Sequence, residues 1–170
     1  MSSPLLSSSG SIAVPSSVLF VCTGNICRSP TAHALLLHKA AMAGVQMGVD
    51  SAAVSDEERG NPIDVRSLAE LRRRGIPVPA HRARQVRAAD FEKHAWIVGM
   101  TGAHCNVLRR LAGPDRSDRV HLMMDFVEGR SGEDVPDPWY GGPSDFIRAF
   151  ELIDVAVDGL LARWGAGGRC

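Results

Sequence analysis

Val18-Leu19-Phe20-Val21-Cys22-Thr23-Gly24-Asn25-Ile26-Cys27-Arg28-Ser29-Pro30 is the stretch that decides the fold. Val18 to Val21 is wholly apolar, the pattern of a strand buried on both faces of a parallel sheet, although periodicity alone leaves a buried helical turn open. The residues that follow favour the strand. Gly24 and Asn25 tolerate left-handed backbone angles, and Ser29-Pro30 before Thr31-Ala32-His33-Ala34-Leu35-Leu36-Leu37 reads as a helix start with proline near its first position. The chain therefore runs strand, tight loop, helix. Such a loop turns its N–H groups inward and the helix N-terminus adds its positive dipole end, which together cradle an anion such as phosphate.

Within that cradle the ionised form of Cys22 is favoured, because loop N–H groups, the helix terminus and Arg28 all stabilise a thiolate. Cys22 is thus the candidate nucleophile. A loop curled round one phosphoryl group returns the Arg28 guanidinium to face the sulfur, and its planar fork grips two oxygens at once where lysine could not.

The residues C-x5-R-S, carried in V-C-T-G-N-I-C-R-S-P, resemble the active-site loop of the low-molecular-weight protein tyrosine phosphatases, and Thr23 after the cysteine looks like their bacterial branch. The resemblance covers Val18 to Trp164. It implies a single α/β domain: an open four-stranded parallel sheet in order 2-1-3-4, helices on both faces, and the phosphate-binding loop after strand 1. Periodicity gives the same alternation of strands and helices but not that order. The resemblance also implies roles around the phosphate for Thr23, Gly24, Asn25, Ile26, Cys27 and Ser29. Asn25 holds the loop in shape with Ser51 and His81 behind it, Ser29 stabilises the departing thiolate, and Cys27 stands where some members protect the nucleophile by a reversible disulfide.

A thiolate cannot protonate the leaving oxygen of a phosphoryl ester, so an acid must come from elsewhere. Val135-Pro136-Asp137-Pro138-Trp139-Tyr140 offers one carboxyl between two prolines and beside two aromatic rings, which are expected to exclude water and favour the protonated, donating form. D-P-W-Y resembles the family's D-P-Y-Y, which implies that Asp137 is the general acid; Asp134 is the near competitor. Ile26, Trp139 and Tyr140 would wall a phosphotyrosine ring, while Glu57 stands where several members place an aromatic, leaving that side open and acidic. The implied reaction is hydrolysis of phosphotyrosine in proteins through a cysteinyl-phosphate. Thr101 and His104, in M-T-G-A-H, resemble the protein-arginine phosphatases of the same fold and make phosphoarginine the rival substrate. Ile26 and the paired aromatics argue against it. Arsenate reduction would need a resolving cysteine pair, and His81 to Leu111 holds only Cys105; a non-catalytic phosphotyrosine-binding module would not be expected to keep both Cys22 and Asp137.

A chain of 170 residues is the size of one domain. Lys and Arg number 19, as do Asp and Glu, so no charge excess points to nucleic acid or a membrane surface. The four cysteines are irregularly spaced, which fits a reducing cytoplasmic setting, with secretion by a non-classical route left open. C-x4-C is not zinc-ligand spacing, so neither metal nor cofactor is expected. The expected partner is a phosphotyrosine-containing protein, a tyrosine kinase among the candidates; the oligomeric state is not legible. Residues 1–17 read as a flexible serine-rich leader, 18–164 as the phosphatase domain and 165–170 as a tail. Further elements are a helix over Pro30 to Ala43 with Ala34, Leu35, Leu37 and Ala41 inward, a strand over Val45 to Asp50, a helix capped by Asp64 and closing in Arg72-Arg73-Arg74, and a short helix over Ala88 to Glu92. Then come a strand over Ala95 to Met100, a helix over Ala103 to Leu111, a strand over Val120 to Met124 and a last helix capped by Ser144.

Overall fold

The computed structural model describes residues 16–168, so the serine-rich leader ahead of Ser16 and Cys170 lie outside the described residues. Its centre is a parallel sheet of β1 (Ser17–Cys22), β2 (Gly48–Ala53), β3 (Trp96–Gly99) and β4 (Val120–Leu122), in the order β2-β1-β3-β4. That is the expected order. α1 (Arg28–Met42), α2 (Val65–Arg73), α3 (Asp90–Lys93), α4 (Gly102–Ala112) and α5 (Pro143–Arg163) join or follow the strands. Side chains of β1 alternate between two cores: Val18, Phe20 and Cys22 pack toward α1 and α5, Leu19 and Val21 toward Phe91 of α3 and Leu108 of α4. Helices therefore cover both faces.

Several boundaries differ from expectation for local reasons. β2 starts three residues late, because the Val45 N–H is spent closing α1 on the Ala40 carbonyl (2.9 Å) and pairing begins only where Gly48 meets Ser17. α1 begins at Arg28, and its buried arc runs through Ala32, Leu35, Leu36 and Ala40, with Leu37 half-buried and Ala41 exposed. α5 begins at Pro143, whose missing N–H costs nothing in a first turn; Ser144 falls inside the helix and the Asp145 carboxylate accepts the Gly142 N–H (2.9 Å). The fourth strand ends at Leu122, and Met123–Phe126 turns into a 3-10 helix. The short helix covers Asp90–Lys93 rather than 88–92. Asp64 does cap α2, accepting the Arg66 N–H at 2.8 Å, and the arginine run closes on Glu70, held by Arg73 and Arg74 at 2.6 Å each.

Gly99 is required where β3 passes α4, since a Cβ there would lie 2.9 Å from Cys105 Sγ. Among the described residues no helix is long and apolar enough to cross a membrane.

Candidate active site

β1 carries Cys22 to the C-terminal edge of the sheet, where it pairs with Ala53, and the next residues peel into a loop that returns to α1 at Arg28. Cys22 is 2% exposed. Its Sγ lies 3.0 Å from Ser29 Oγ and accepts the Asn25 backbone N–H at 3.3 Å. The Cys27 side chain at the N-cap of α1 makes no capping hydrogen bond, so it leaves first-turn N–H groups available to an anion.

Asn25 makes the bend. Its φ is +62°, a left-handed conformation that side chains seldom hold unaided, and its neighbours fix it. Nδ2 donates to Ser29 Oγ (2.8 Å) and Ser51 Oγ (2.9 Å), Oδ1 accepts the Arg84 N–H (3.1 Å), and the carbonyl accepts His81 Nε2–H (2.6 Å). Burial, only partly offset by that carbonyl, pushes the His81 pKa down. Behind it, both terminal nitrogens of Arg84 grip Asp90 at 2.9 Å, and one reaches Asp50 at 3.0 Å. Gly24 leaves room for Glu58, whose Cγ would lie 3.0 Å from an added Cβ.

Arg28 is buried and spans two loops. Nη1 donates to the Val135 carbonyl (2.8 Å), while Nη2 lies 3.4 Å from Thr23 Oγ1 and 3.6 Å from an Asp137 carboxylate oxygen. The acid candidate therefore faces the arginine across the mouth of the loop. One cleft collects Cys22, Thr23, Gly24, Ile26, Cys27, Arg28, Glu57, Glu58, Asp137, Trp139 and Tyr140. Ser51 and His81 are not among the residues that line it and reach it through their bonds to Asn25. Asp134 Oδ1 accepts the Gly102 N–H (2.8 Å) at the start of α4.

The expected shielding of Asp137 is corrected. Its side chain is 43% exposed, Trp139 is 38% exposed and Tyr140 is 92% exposed, so the rings flank the carboxyl without enclosing it. Cys27, which also lines the cleft, packs in an apolar patch with Ile26, Ala83 and Phe146, and burial followed by the Asp64 charge pushes its thiol up to about 12. Cys22 and Cys27 are both free thiols.

Sequence reasoning missed the contacts that join the parts, and with them Arg66. Asp64 donates its N–H to the Ile26 carbonyl (2.8 Å) and holds Arg66, whose guanidinium lies over the Trp139 ring (5.1 Å to the centroid) and donates to the Trp139 carbonyl (3.2 Å). His104 Nε2 meets Thr23 Oγ1 at 2.8 Å. The helix-cap signal of Asp64 was readable, but its partner was not.

Among the described residues no group of three His, Cys, Asp or Glu side chains is placed to hold a metal ion. The arrangement can bind a tetrahedral oxyanion over a sulfur nucleophile and offer a carboxyl from the opposite wall.

A family model described as low molecular weight phosphotyrosine protein phosphatase matches residues 17–167. The low molecular weight protein-tyrosine-phosphatase YfkJ of Bacillus subtilis is 38% identical over 148 residues, which is 86% of this chain and 94% of that protein. Its crystal structure superposes with a TM-score of 0.84 over 91% of this chain and 97% of that one, at 35% identity. A low molecular weight protein-tyrosine-phosphatase of Streptomyces coelicolor is 37% identical over 85% of this chain and 91% of its own. A Drosophila arginine phosphatase matches with a TM-score of 0.81 and 28% identity over 86% of this chain and 96% of its own.

Proposed function

Because the chain belongs to the low molecular weight phosphotyrosine protein phosphatase family, we propose that it hydrolyses phosphotyrosine in proteins, with Cys22 as nucleophile, Arg28 as phosphate clamp and Asp137 as general acid and base. The observation that carries this is the placement of a buried Cys22 at the floor of a cleft whose walls bring Arg28 and Asp137 to 3.6 Å of each other.

The phosphoryl group enters with its oxygens on the loop N–H groups and the Arg28 fork. The bound phosphoryl group and the Asp137 carboxyl then share the Arg28 guanidinium, which lies 3.6 Å from an Asp137 oxygen and so sets the acid beside the ester it is to protonate. Cys22 sulfur attacks phosphorus in line; as the P–O bond breaks, the phenolic oxygen takes the Asp137 proton and leaves as tyrosine. Asp137, now ionised, takes a proton from water as that water attacks the cysteinyl-phosphate. Orthophosphate forms and the thiolate departs onto the Ser29 hydroxyl, 3.0 Å away. Ile26, Trp139 and Tyr140 supply the apolar walls that a tyrosyl ring needs to bring its phosphorus to so deep a sulfur.

The arginine phosphatase likeness keeps phosphoarginine as the competing substrate. Initial rates on phosphotyrosine, phosphoarginine and phosphoserine peptides separate the readings. Phosphotyrosine is expected to be fastest, and Cys22→Ser to lose at least ~10⁴-fold. Faster phosphoarginine turnover would overturn the substrate assignment, and an active Cys22→Ser enzyme would overturn the nucleophile.

A further inference from the structure

The proposed reaction makes no use of His104, yet this ring is built into the site. It is 5% exposed and lines a second cleft that shares Thr23, Arg28 and Asp137 with the first. Its backbone N–H is accepted by Thr101 Oγ1 (3.1 Å), fixing it in the first turn of α4. Nε2 lies 2.8 Å from Thr23 Oγ1, while Nδ1 is buried with no partner among the described residues. Burial, then the Arg28 charge, pushes the ring's pKa down to about 4, so it carries one proton at neutral pH.

The unpartnered nitrogen fixes where that proton sits. On Nδ1 it would be a buried N–H with no acceptor, a defect that folded proteins almost never leave; on Nε2 it donates to Thr23 and leaves only a lone pair unmatched. Thr23 Oγ1 then accepts from His104 and, more weakly, from Arg28 Nη2 at 3.4 Å. A hydroxyl has two acceptor sites and one hydrogen. With both sites taken, the hydrogen is free to turn toward the cleft that Thr23 lines together with Cys22.

We infer that His104 is a positioning residue which, by donating Nε2–H to Thr23 Oγ1, turns the Thr23 hydroxyl hydrogen toward the phosphoryl group over Cys22, adding a donor beyond the loop amides and Arg28. This rests on the phosphatase reading for its ligand, but the geometry concerns the bound oxyanion and is indifferent to which ester delivers it.

The test compares wild type, Thr23→Val, His104→Leu, His104→Gln and the double variant Thr23→Val/His104→Leu. Two readouts apply: kcat/KM on a phosphotyrosine peptide, and the concentration of inorganic phosphate that protects Cys22 from alkylation. Each of Thr23→Val and His104→Leu is expected to lose roughly tenfold in both, as for a hydrogen bond to a charged group. The double variant loses no more than the worse single, and His104→Gln, whose amide N–H reaches the same place, recovers most of the loss. Thr23→Val behaving as wild type, a double variant equal to the product of the singles, or His104→Gln no better than His104→Leu at matched thermal midpoints would each overturn the inference. If wild type fails to turn over phosphotyrosine yet phosphate protects Cys22, the substrate reading falls and protection alone judges His104. If phosphate does not protect wild type at all, the cradle falls, and His104 with it.

Discussion

Between Cys22 and Ser29 the chain is locked, with Asn25, Arg28 and Ser29 buried and bonded through their polar atoms, whereas between Pro136 and Gly142 it runs through solvent with only Pro138 buried. Its root is firm, since Val135 is buried, donates to the Met100 carbonyl at 2.9 Å and accepts from Arg28. Beyond the root the acid loop is held by the Arg66 contacts to Trp139 and by its own turn, in which Gly141 N–H reaches the Pro138 carbonyl at 2.8 Å. The Cys22–Ser29 loop is thus held by its own protein contacts, and donors fixed in this way are the kind that stabilise developing charge most cheaply. The Asp137 loop, exposed and held by few contacts, is the more adjustable half, and under the proposed reaction it is the half that would admit substrate and release product.

The sharpest contrast comes from Asp137→Ala. With a half-exposed carboxyl removed, the thermal midpoint should stay near wild type while turnover of tyrosyl esters falls by roughly 10²–10³-fold, within the usual worth of a general acid. Esters whose leaving group is already acidic should fall far less, because they depart without a proton. Equal slowing of both ester classes would remove Asp137 from the acid role and leave the two loops undifferentiated.

Asn25→Ala should show the reverse signature. It removes the donors to Ser29 and Ser51 and the acceptor for Arg84 while keeping an alanine at φ +62°, so buried polar groups lose partners and strain remains. A loss of about 2–4 kcal/mol in stability by denaturant titration is expected, with roughly 10- to 100-fold in kcat/KM at every leaving group. An Asn25→Ala enzyme as stable as wild type would mean that the phosphate loop is not the locked half.

The locked half was also the legible half. Val18 to Val21 and Ser29-Pro30 announce strand, turn and helix within one short segment, and Asn25 at the left-handed position is a choice that few residue types permit. The candidacy of Asp137 was readable from its prolines and aromatics, but its degree of exposure was not, because flanking a group with rings does not say whether they close over it. Contacts between distant segments carry no local signature: Arg28 finds the Val135 carbonyl 107 residues away and Thr23 finds His104 81 residues away. The inner face of α1 was misassigned by one position because a run of leucines offers more than one helical stripe, and packing against both β1 and α5 selects Leu36 over Leu37.

The smallest effect tests whether the two halves communicate. A continuous path runs from the Ile26 carbonyl to the Asp64 N–H, from the Asp64 carboxylate to Arg66 and from Arg66 to Trp139, so the locked loop offers the adjustable one a handhold. Arg66 is partly solvated at its head, and its hold on the ring is correspondingly modest. Arg66→Ala should therefore lower kcat/KM on tyrosyl esters by only roughly two- to fivefold, through looser presentation of Asp137 and Trp139, and should leave phosphate protection of Cys22 unchanged. Arg66→Lys should not restore the loss, since an ammonium cannot both stack on the indole and reach the Trp139 carbonyl as a planar fork does. Combined with Asp137→Ala, the Arg66→Ala change should lose most of its effect on turnover, because the group it helps to aim is gone. A full, independent loss in that double variant would show that Arg66 serves substrate binding and that the acid loop holds its position without it.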